Sequence, residues 1–316
     1  MIIGRCYRAP VTTSLRLPLR GPRGEPVDLA RAINSHGFAE LAPSALDAQA
    51  GTLSVTVPVR GSRPRRIRIG PGSAGSARVE VLGPPAGPRI QAAALAGAVH
   101  VLRLEQDLAD FYALAAVDPD LAWVTAGAGR MLRSPTLFED VVKTICTTNC
   151  SWSATVRMVD SLVSSLGEPA IGGDGPLTNA FPTAAAMAAA PASFYRDVVR
   201  AGYRGPYLIE LARRVQAGEV NLEAMATSTA DERSDDDIEQ ELLGLPGVGP
   251  YAAAHVMMTM GRNSRLILDS WTRPTYARLT GRKRVADATI ERRFRRYGPY
   301  TGLAFWLYLT RDWVEV

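Results

Sequence analysis

The segment Leu245-Pro246-Gly247-Val248-Gly249-Pro250-Tyr251 decides the fold of this chain, because it places a glycine hairpin between two predicted helices. Its glycines permit a tight turn, and a proline suits the first position of the helix that follows. A hairpin that opens a helix presents free backbone N–H groups to one phosphate without contacting a base. Asp269 follows Tyr251 by 18 positions. Together they predict a carboxylate that acts on a nucleotide whose phosphate the hairpin holds.

An acidic run precedes the hairpin, with Ser234 followed by Asp235–Asp237. The run could repel phosphate. It fits better as a helix start, because serine is a preferred N-cap and the helix dipole favours acids in the first turn. Ile238, Leu242 and Leu243 then give that helix an apolar face. The sequence therefore predicts a helix, a hairpin and a second helix in succession.

The composition describes a globular protein that can bind a polyanion. A chain of 316 residues with 47% hydrophobic content can build one large or two to three modest domains. The net charge is +5, and the segment from residue 278 to 296 has a larger local excess. That strip is either a solvated helical face or a surface that faces phosphate, and the nearby hairpin favours phosphate. Its basic residues are Arg278, Arg282, Lys283, Arg284, Arg292, Arg293, Arg295 and Arg296.

The cysteines and the apolar runs bear on the compartment. Cys6, Cys146 and Cys150 cannot form a disulfide framework, and the pair Cys146 and Cys150 lacks the further ligands that a zinc or iron–sulfur site needs. We expect Cys146 and Cys150 to be packing residues in a reducing compartment. No run is long and apolar enough for a signal peptide or a membrane span. The expectation is a cytoplasmic protein, associated with the nucleoid if the source is bacterial.

The first 85 or so residues alternate apolar and polar positions, as in Leu53, Val55 and Val57. This period predicts strands, and Asp28–Ser35 predicts a short helix between the first two of them. Gly70–Gly75 matches G-x-G-x-x-G, but a strand and no helix follows it, so it is expected to be a turn. The proline-rich segment 83–88 predicts a linker. We therefore expect an α/β domain at 1–88, with an antiparallel sheet and a helix, and a mainly helical domain at 89–316.

From Gln91 onward the sequence predicts helices joined by short loops, so the fold class is α+β. The predicted helices are 91–116, 119–130, 135–148, 152–166, 183–190, 192–201, 205–217, 235–243, 250–261, 270–280, 286–297 and 299–312.

The hairpin together with Asp269 resembles the helix-hairpin-helix DNA glycosylases, with features of both the AlkA-like 3-methyladenine and the 8-oxoguanine branches. The resemblance covers roughly residues 90–316. It implies a two-lobed helical domain, DNA running over the hairpin, and a damaged base rotated into the cleft. It also implies a monomer that acts on double-stranded DNA with no required cofactor. A K⁺ or Na⁺ ion could lie on the backbone carbonyls of Leu243, Leu245 and Val248.

By that resemblance, Asp269 is the catalytic carboxylate, although it could also cap the helix that begins at Ser270. Tyr251 stands where the bifunctional members have a lysine. Without an amine no Schiff base forms with the sugar, so a monofunctional hydrolase is expected. The alternatives are a lyase that uses another amine, an 8-oxoguanine-type glycosylase, and a silent protein that binds damaged DNA. The hairpin residues Gly247, Val248, Gly249 and Tyr251 would contact the backbone.

Three further residues match the 8-oxoguanine branch. Asn149 would fill the gap left by the base, although it could instead be a helix C-cap. Tyr203 would be the wedge, and Arg204 would face the widowed base. Ala154 stands where that branch has a second arginine against the opposite cytosine.

The predicted base pocket departs from the 8-oxoguanine pattern. His255 replaces a cysteine, while Phe305 and Leu309 replace a glutamine and a phenylalanine that hold the oxidised base. An aromatic pocket of Phe305, Trp306 and Trp271 with His255 would suit electron-poor alkylated purines. The alternatives are that the three aromatic residues belong to the core of the closing helices and that His255 is a core histidine with its hydrogen bonds satisfied. The expected substrates are therefore alkylated purines.

Overall fold

The computed structural model describes residues 12–314, so Cys6 lies outside the described residues. Five strands form one antiparallel sheet in the order β1-β5-β4-β3-β2. The sequence predicted all of them except β2, which has only three residues and a single large apolar side chain, Leu46. The strands are β1 (Thr13–Pro18), β2 (Ala45–Asp47), β3 (Thr52–Val57), β4 (Arg65–Pro71) and β5 (Ser76–Val81).

One sheet face is buried by a helix that follows the predicted linker. The expected helix 91–116 is two helices, α2 (Pro88–Val101) and α3 (Ala109–Ala116), and α2 packs on the sheet. Gly97 permits this contact, because an added Cβ would lie 2.7 Å from a methyl of Val57. The short predicted helix is α1 (Leu29–Ile33), capped by Asp28. The helix after the linker thus completes the core of the sheet.

The remaining chain is helical, and the α+β class predicted from the sequence is confirmed. Two expected helices differ, since 119–130 contains only a 3₁₀ turn at Ala122–Ala126 and 192–201 only a π-helical turn at Phe194–Val198. One helix, α8, was not predicted. The further helices are α4 (Leu137–Thr147), α5 (Trp152–Leu166), α6 (Ala184–Ala189), α7 (Arg204–Gln216), α8 (Leu222–Thr227), α9 (Asp235–Leu243), α10 (Pro250–Met260), α11 (Thr272–Leu279), α12 (Asp287–Phe294) and α13 (Thr301–Thr310).

Two apolar cores lie on opposite sides of α10. One includes residues of α4, α5, α7 and α9, and the other includes residues of α3, α11, α12 and α13. Val256 and Met257 of α10 pack in the first core, whereas Ala254 and Met258 pack in the second. The helix that the hairpin opens is therefore buried between two lobes. Within residues 12–314, no helix is long and apolar enough to cross a membrane.

Candidate active-site cleft

The predicted hairpin is present between α9 and α10. Ser234 caps α9 and exchanges hydrogen bonds with Asp237, which confirms a helix start at the acidic run. Gly247 has φ +76°, and a Cβ there would lie 2.9 Å from the ring of Tyr207, so glycine is required twice over. Gly249 precedes Pro250 at the start of α10. A Cβ on Gly249 would meet nothing within 4 Å, so the fold itself does not require glycine there.

A cleft of about 970 Å³ opens at this hairpin. The first lobe contributes the end of α4, the start of α7 and the hairpin, and the second lobe contributes the segment that carries Asp269. The cleft therefore brings together Asp269 and six of the seven residues that the sequence predicted to bind DNA. Its lining is Thr147, Thr148, Asn149, Cys150, Tyr203, Tyr207, Gly247, Val248, Gly249, Pro250, Tyr251, Ala252, Leu268, Asp269 and Ser270.

Asp269 caps α11 with one of its two carboxylate oxygens. Oδ1 accepts hydrogen bonds from the backbone N–H groups of Trp271 (2.8 Å) and Thr272 (2.7 Å). The Thr272 hydroxyl accepts in return from the Asp269 N–H at 2.8 Å. Oδ2 makes no hydrogen bond to any described residue. The capping role considered from the sequence is therefore present, and it leaves a second oxygen available in the cleft.

Ion pairs fix the segment that carries Asp269 against α9. Arg262 donates to Asp235 at 3.0 Å, and Arg265 donates to Glu239 at 2.8 Å. The acids that precede the hairpin thus do more than start a helix. They join the helix before the hairpin to the segment before Asp269, which sets the position of the carboxylate relative to the hairpin.

Tyr251 lines the cleft from the first turn of α10. Its hydroxyl lies 3.3 Å from the Thr147 hydroxyl. Because the Thr147 hydroxyl donates to the Thr144 carbonyl at 2.7 Å, the phenol donates to Thr147. Burial, the largest cause, raises the pKa of the phenol. Tyr251 is therefore a neutral hydrogen-bonding side chain at physiological pH.

Asn149 lies immediately beyond the C-terminal cap of α4 in the left-handed region, at φ +46°. Its side-chain amide donates to the Tyr203 hydroxyl at 3.3 Å. The hydrogen bond with Thr148 lowers the pKa of Tyr203, whose side chain is 53% exposed. Asn149 and Tyr203 are thus a solvent-facing pair at the cleft edge. Asn149 also lies just after the end of α4, close to the helix C-cap role that the sequence analysis gave as its alternative.

Arg204 is the exception among the residues expected at the vacated stack. Its side chain is buried, and its guanidinium donates to the carbonyl of Ala201 and to both the carbonyl and the hydroxyl of Thr148. It does not line the cleft. The structure therefore places Arg204 behind the Thr148–Asn149 corner instead of in front of it.

The four predicted base-pocket residues do not line the cleft. Phe305 is fully buried, packed against Tyr276 and Phe294. Trp306 is buried as well, and its indole N–H donates to the Ser35 carbonyl at 2.8 Å. The physical reason is that all residues of α13 from Gly302 to Thr310 are buried, so its aromatic side chains fill the second core. The expectation that Phe305 and Trp306 line a base pocket is therefore wrong, and both are core residues, as the alternative stated.

Trp271 and His255 lie near the cleft without forming its wall. Trp271 is 39% exposed and packs against Trp306 and Trp313. His255 lies one turn beyond Tyr251 on α10, and burial, reinforced by His36, lowers its pKa to about 3. It is therefore neutral and packs against Phe38, 4.9 Å between ring centroids. The N-terminal half of the chain thus closes the space behind Tyr251.

Tyr207 and Thr147 are cleft residues that the sequence analysis missed. Tyr207 is 41% exposed, contacts the hairpin at Gly247, and packs edge to face with Tyr203 at 6.3 Å. Tyr203 is the N-cap of α7 and Tyr207 lies four residues later in its first turn, a spacing that could have indicated a shared face. Thr147 carried no signal, because its role is a hydrogen bond to Tyr251.

The basic strip lies away from the cleft. Within the strip, Arg293 and Arg296 pair with Asp120 and Asp118. Asp287, also within the strip, pairs with Arg273 of α11. A separate groove of about 540 Å³ forms beside the C-terminal end of α11, and four of its lining residues are Arg282, Arg292, Arg293 and Arg296. Since Asp269 caps the N-terminal end of α11, the cleft and this groove lie at opposite ends of one helix, about 12 Å long.

We compared the chain with known protein families, proteins and structures. No family model matches the chain. The N-glycosylase/DNA lyase of Saccharomyces cerevisiae is 30% identical over 125 residues, which cover 37% of this chain and 32% of the yeast protein. The matched region thus spans about a third of that relative's length.

Two solved DNA glycosylases share the fold over most of the chain. A 3-methyladenine DNA glycosylase from Archaeoglobus fulgidus has a TM-score of 0.71 at 20% identity and covers 96% of this chain and 100% of its own. An 8-oxoguanine glycosylase/lyase from Clostridium acetobutylicum, bound to double-stranded DNA with cytosine opposite 8-oxoguanine, has a TM-score of 0.65 at 17% identity over 88% and 92%. The resemblance expected from the hairpin and Asp269 is confirmed at the level of the fold.

Proposed function

This chain has the fold of the DNA glycosylases, and we propose that it is a DNA repair enzyme that extrudes a damaged base and hydrolyses its N-glycosidic bond. One observation carries the proposal. Asp269 uses Oδ1 to cap α11 and leaves Oδ2 in a cleft whose other wall is the glycine hairpin. A residue needed only as a cap would not require a cleft of this size in front of it.

The geometry supports a division of labour between the two lobes. The backbone N–H groups at the start of α10, next to Gly249, bind a DNA phosphate. This holds the nucleotide so that its sugar faces Asp269. The carboxylate then stabilises the positive charge that develops on the sugar, or orients the attacking water. Water forms the new bond to C1′ and gives up a proton to Asp269 or to solvent, while the N-glycosidic bond breaks and the base leaves with the bonding electrons.

We infer that the enzyme is monofunctional, because the chain offers few amines for a Schiff base. The whole sequence contains two lysines. Lys143 is fully buried and pairs with Glu139 at 2.6 Å. Lys283 belongs to the basic strip, between α11 and α12. Among the described residues that line the cleft, none carries an amine. Hydrolysis by water is then the route that the cleft supports.

The hairpin carbonyls fit the monovalent cation that the resemblance implies. The Leu245 carbonyl accepts one hydrogen bond, from the Val248 N–H at 3.2 Å. Among the loop hydrogen bonds of the described residues, none ends on the carbonyl of Leu243 or Val248. Oxygen atoms with free lone pairs are the donors that K⁺ or Na⁺ takes. A bound cation would add positive charge beside the phosphate site, and the carbonyls of Leu243, Leu245 and Val248 would hold it.

We propose alkylated purines as the substrate class, on a different basis from the sequence argument. Among the described residues that line the cleft, Asp269 is the only charged side chain, and Tyr251, Tyr203 and Tyr207 supply aromatic surface. Such a site favours a cationic base by charge and by the ring quadrupole. The 3-methyladenine DNA glycosylase from Archaeoglobus fulgidus, which shares the fold along its whole length, is consistent with this choice.

The test is excision from a panel of duplexes that each carry one lesion. We expect 3-methyladenine and 7-methylguanine to be released faster than 8-oxoguanine opposite cytosine. A loosely discriminating aromatic site should accept more than one alkylated base. Faster release of 8-oxoguanine would contradict the substrate class. Strand breakage at the lesion without added alkali would favour the second candidate, a glycosylase/lyase such as the yeast relative.

A further inference from the structure

The guanidinium of Arg204 is engaged by the protein on both of its hydrogen-bonding edges. Nε donates to the Thr148 hydroxyl at 3.3 Å, and one terminal nitrogen donates to the Thr148 carbonyl. The other terminal nitrogen donates to the Ala201 carbonyl at 3.4 Å. The guanidinium carbon also lies 4.5 Å from the Tyr203 ring centroid. To recognise a base, an arginine needs two parallel donors from one edge. Each edge of Arg204 already has at least one nitrogen engaged by the protein, and the side chain is buried.

These contacts fix the position of Asn149. Thr148 is the C-cap of α4, and Asn149 follows it at φ +46°, a left-handed conformation that asparagine adopts more readily than most residues with a side chain. Arg204 holds both polar groups of Thr148, and Tyr203 accepts from the Asn149 amide. The Thr148–Asn149 corner is therefore held by the Arg204 guanidinium on its buried side and by the Tyr203 phenol on its exposed side.

The second position that could recognise an opposite base has no polar side chain, because it is Ala154. The exposed groups that remain are the amide of Asn149 and the hydroxyl of Tyr203. Each of these can donate or accept a hydrogen bond, so each can adapt to any of the four bases. A fixed pair of donors, which would select guanine or cytosine edges, is missing from this surface among the described residues.

We infer that Arg204 is a positioning residue for Asn149 and that the protein does not discriminate among the four bases opposite the lesion. The inference rests on the proposed function, since it concerns the strand opposite the extruded nucleotide. It also reassigns Arg204, which the sequence resemblance placed against the widowed base.

Binding to four duplexes separates this inference from the proposed function. Each duplex carries a tetrahydrofuran abasic-site analogue opposite adenine, cytosine, guanine or thymine, so no base release is needed. We expect Kd values within about threefold of one another. Arg204→Met should weaken binding to all four by a similar factor of five or more, because the Asn149 corner loosens. Arg200→Met, which removes an exposed arginine nearby, is the matched control and should change little.

Two results would overturn the inference. One is a preference of tenfold or more for a single opposite base that disappears in Arg204→Met, since only a residue that contacts the base does this. The other is unchanged binding by Arg204→Met. If Arg204→Met lowers the melting temperature strongly, the same binding measurements are made with Arg204→Lys and Ala154→Arg instead. Lysine should restore part of the affinity without creating a preference, and Ala154→Arg should create one. A wild-type protein that binds none of the duplexes contradicts the proposed function itself.

Discussion

The two ends of α11 present two polar openings with different chemistry. At the N-terminal end, Asp269 caps the helix with one oxygen and leaves the other in the cleft. At the C-terminal end, Arg293 and Arg296 line a groove but already pair with Asp120 and Asp118. The groove has more charge, whereas the cleft has a charged atom that the fold does not use. We therefore propose the active site at the end of α11 that carries a free carboxylate oxygen, and not at the end where charge is densest.

Asp269→Asn should have the largest effect, because the amide oxygen can still cap α11 while the charge is lost. We expect base release to fall by at least about 100-fold. The melting temperature should change little, because asparagine is as good an N-cap as aspartate. Asp287→Asn is the control, since Asp287 pairs with Arg273 outside the cleft. Single-turnover rates and thermal melts measure both. Equal activity in wild type and Asp269→Asn would remove the carboxylate from the mechanism.

The two hairpin glycines should separate folding from DNA binding. Gly247→Ala should lower the melting temperature, because φ is +76° and the new Cβ would meet Tyr207. Gly249→Ala should leave the melting temperature unchanged, since its Cβ meets nothing in the protein. It should nevertheless weaken duplex binding about tenfold, the equivalent of one lost hydrogen bond to a charged group. Unweakened binding by a folded Gly249→Ala variant would place the phosphate elsewhere.

The arginine groove should have the smallest effect on DNA binding. Replacing Arg282 and Arg292 by glutamine removes two exposed groove residues. The control pair, Arg284→Gln with Arg295→Gln, removes the same charge outside the groove. We expect both pairs to weaken binding by threefold or less. If the groove contacts two phosphates, the log–log salt slope of the groove variant should instead fall by about 1.8. That result, absent from the control, would extend the DNA surface to this end of α11.

The hairpin and its surroundings could be predicted from sequence because their signals are local. Gly247, Pro250 and the cap at Ser234 each require a particular backbone shape, and Asp269 is tied to them by spacing. The strands β3, β4 and β5 followed from alternation, whereas β2 was too short to show a period.

The contents of the base pocket and the partners of Arg204 depend on tertiary contacts. Helix α13 is apolar all round, so its sequence does not indicate which face meets a cleft, and Phe305 and Trp306 proved to be core residues. Arg204 donates to the Ala201 carbonyl and to the carbonyl and hydroxyl of Thr148. No sequence pattern predicts these contacts. The packing of α2 on the sheet also depends on a tertiary contact, the close approach of Gly97 to Val57.

The most direct measurement is the fate of a duplex that carries one 3-methyladenine, followed by mass spectrometry of the free base and by gel analysis of the strand. The proposed mechanism predicts free 3-methyladenine and a strand that stays intact until alkali is added, because water and not an amine attacks the sugar. Asp269→Asn should release base at least about 100-fold more slowly than wild type under the same conditions. Strand cleavage without alkali, or base release by Asp269→Asn at the wild-type rate, would contradict hydrolysis at this cleft.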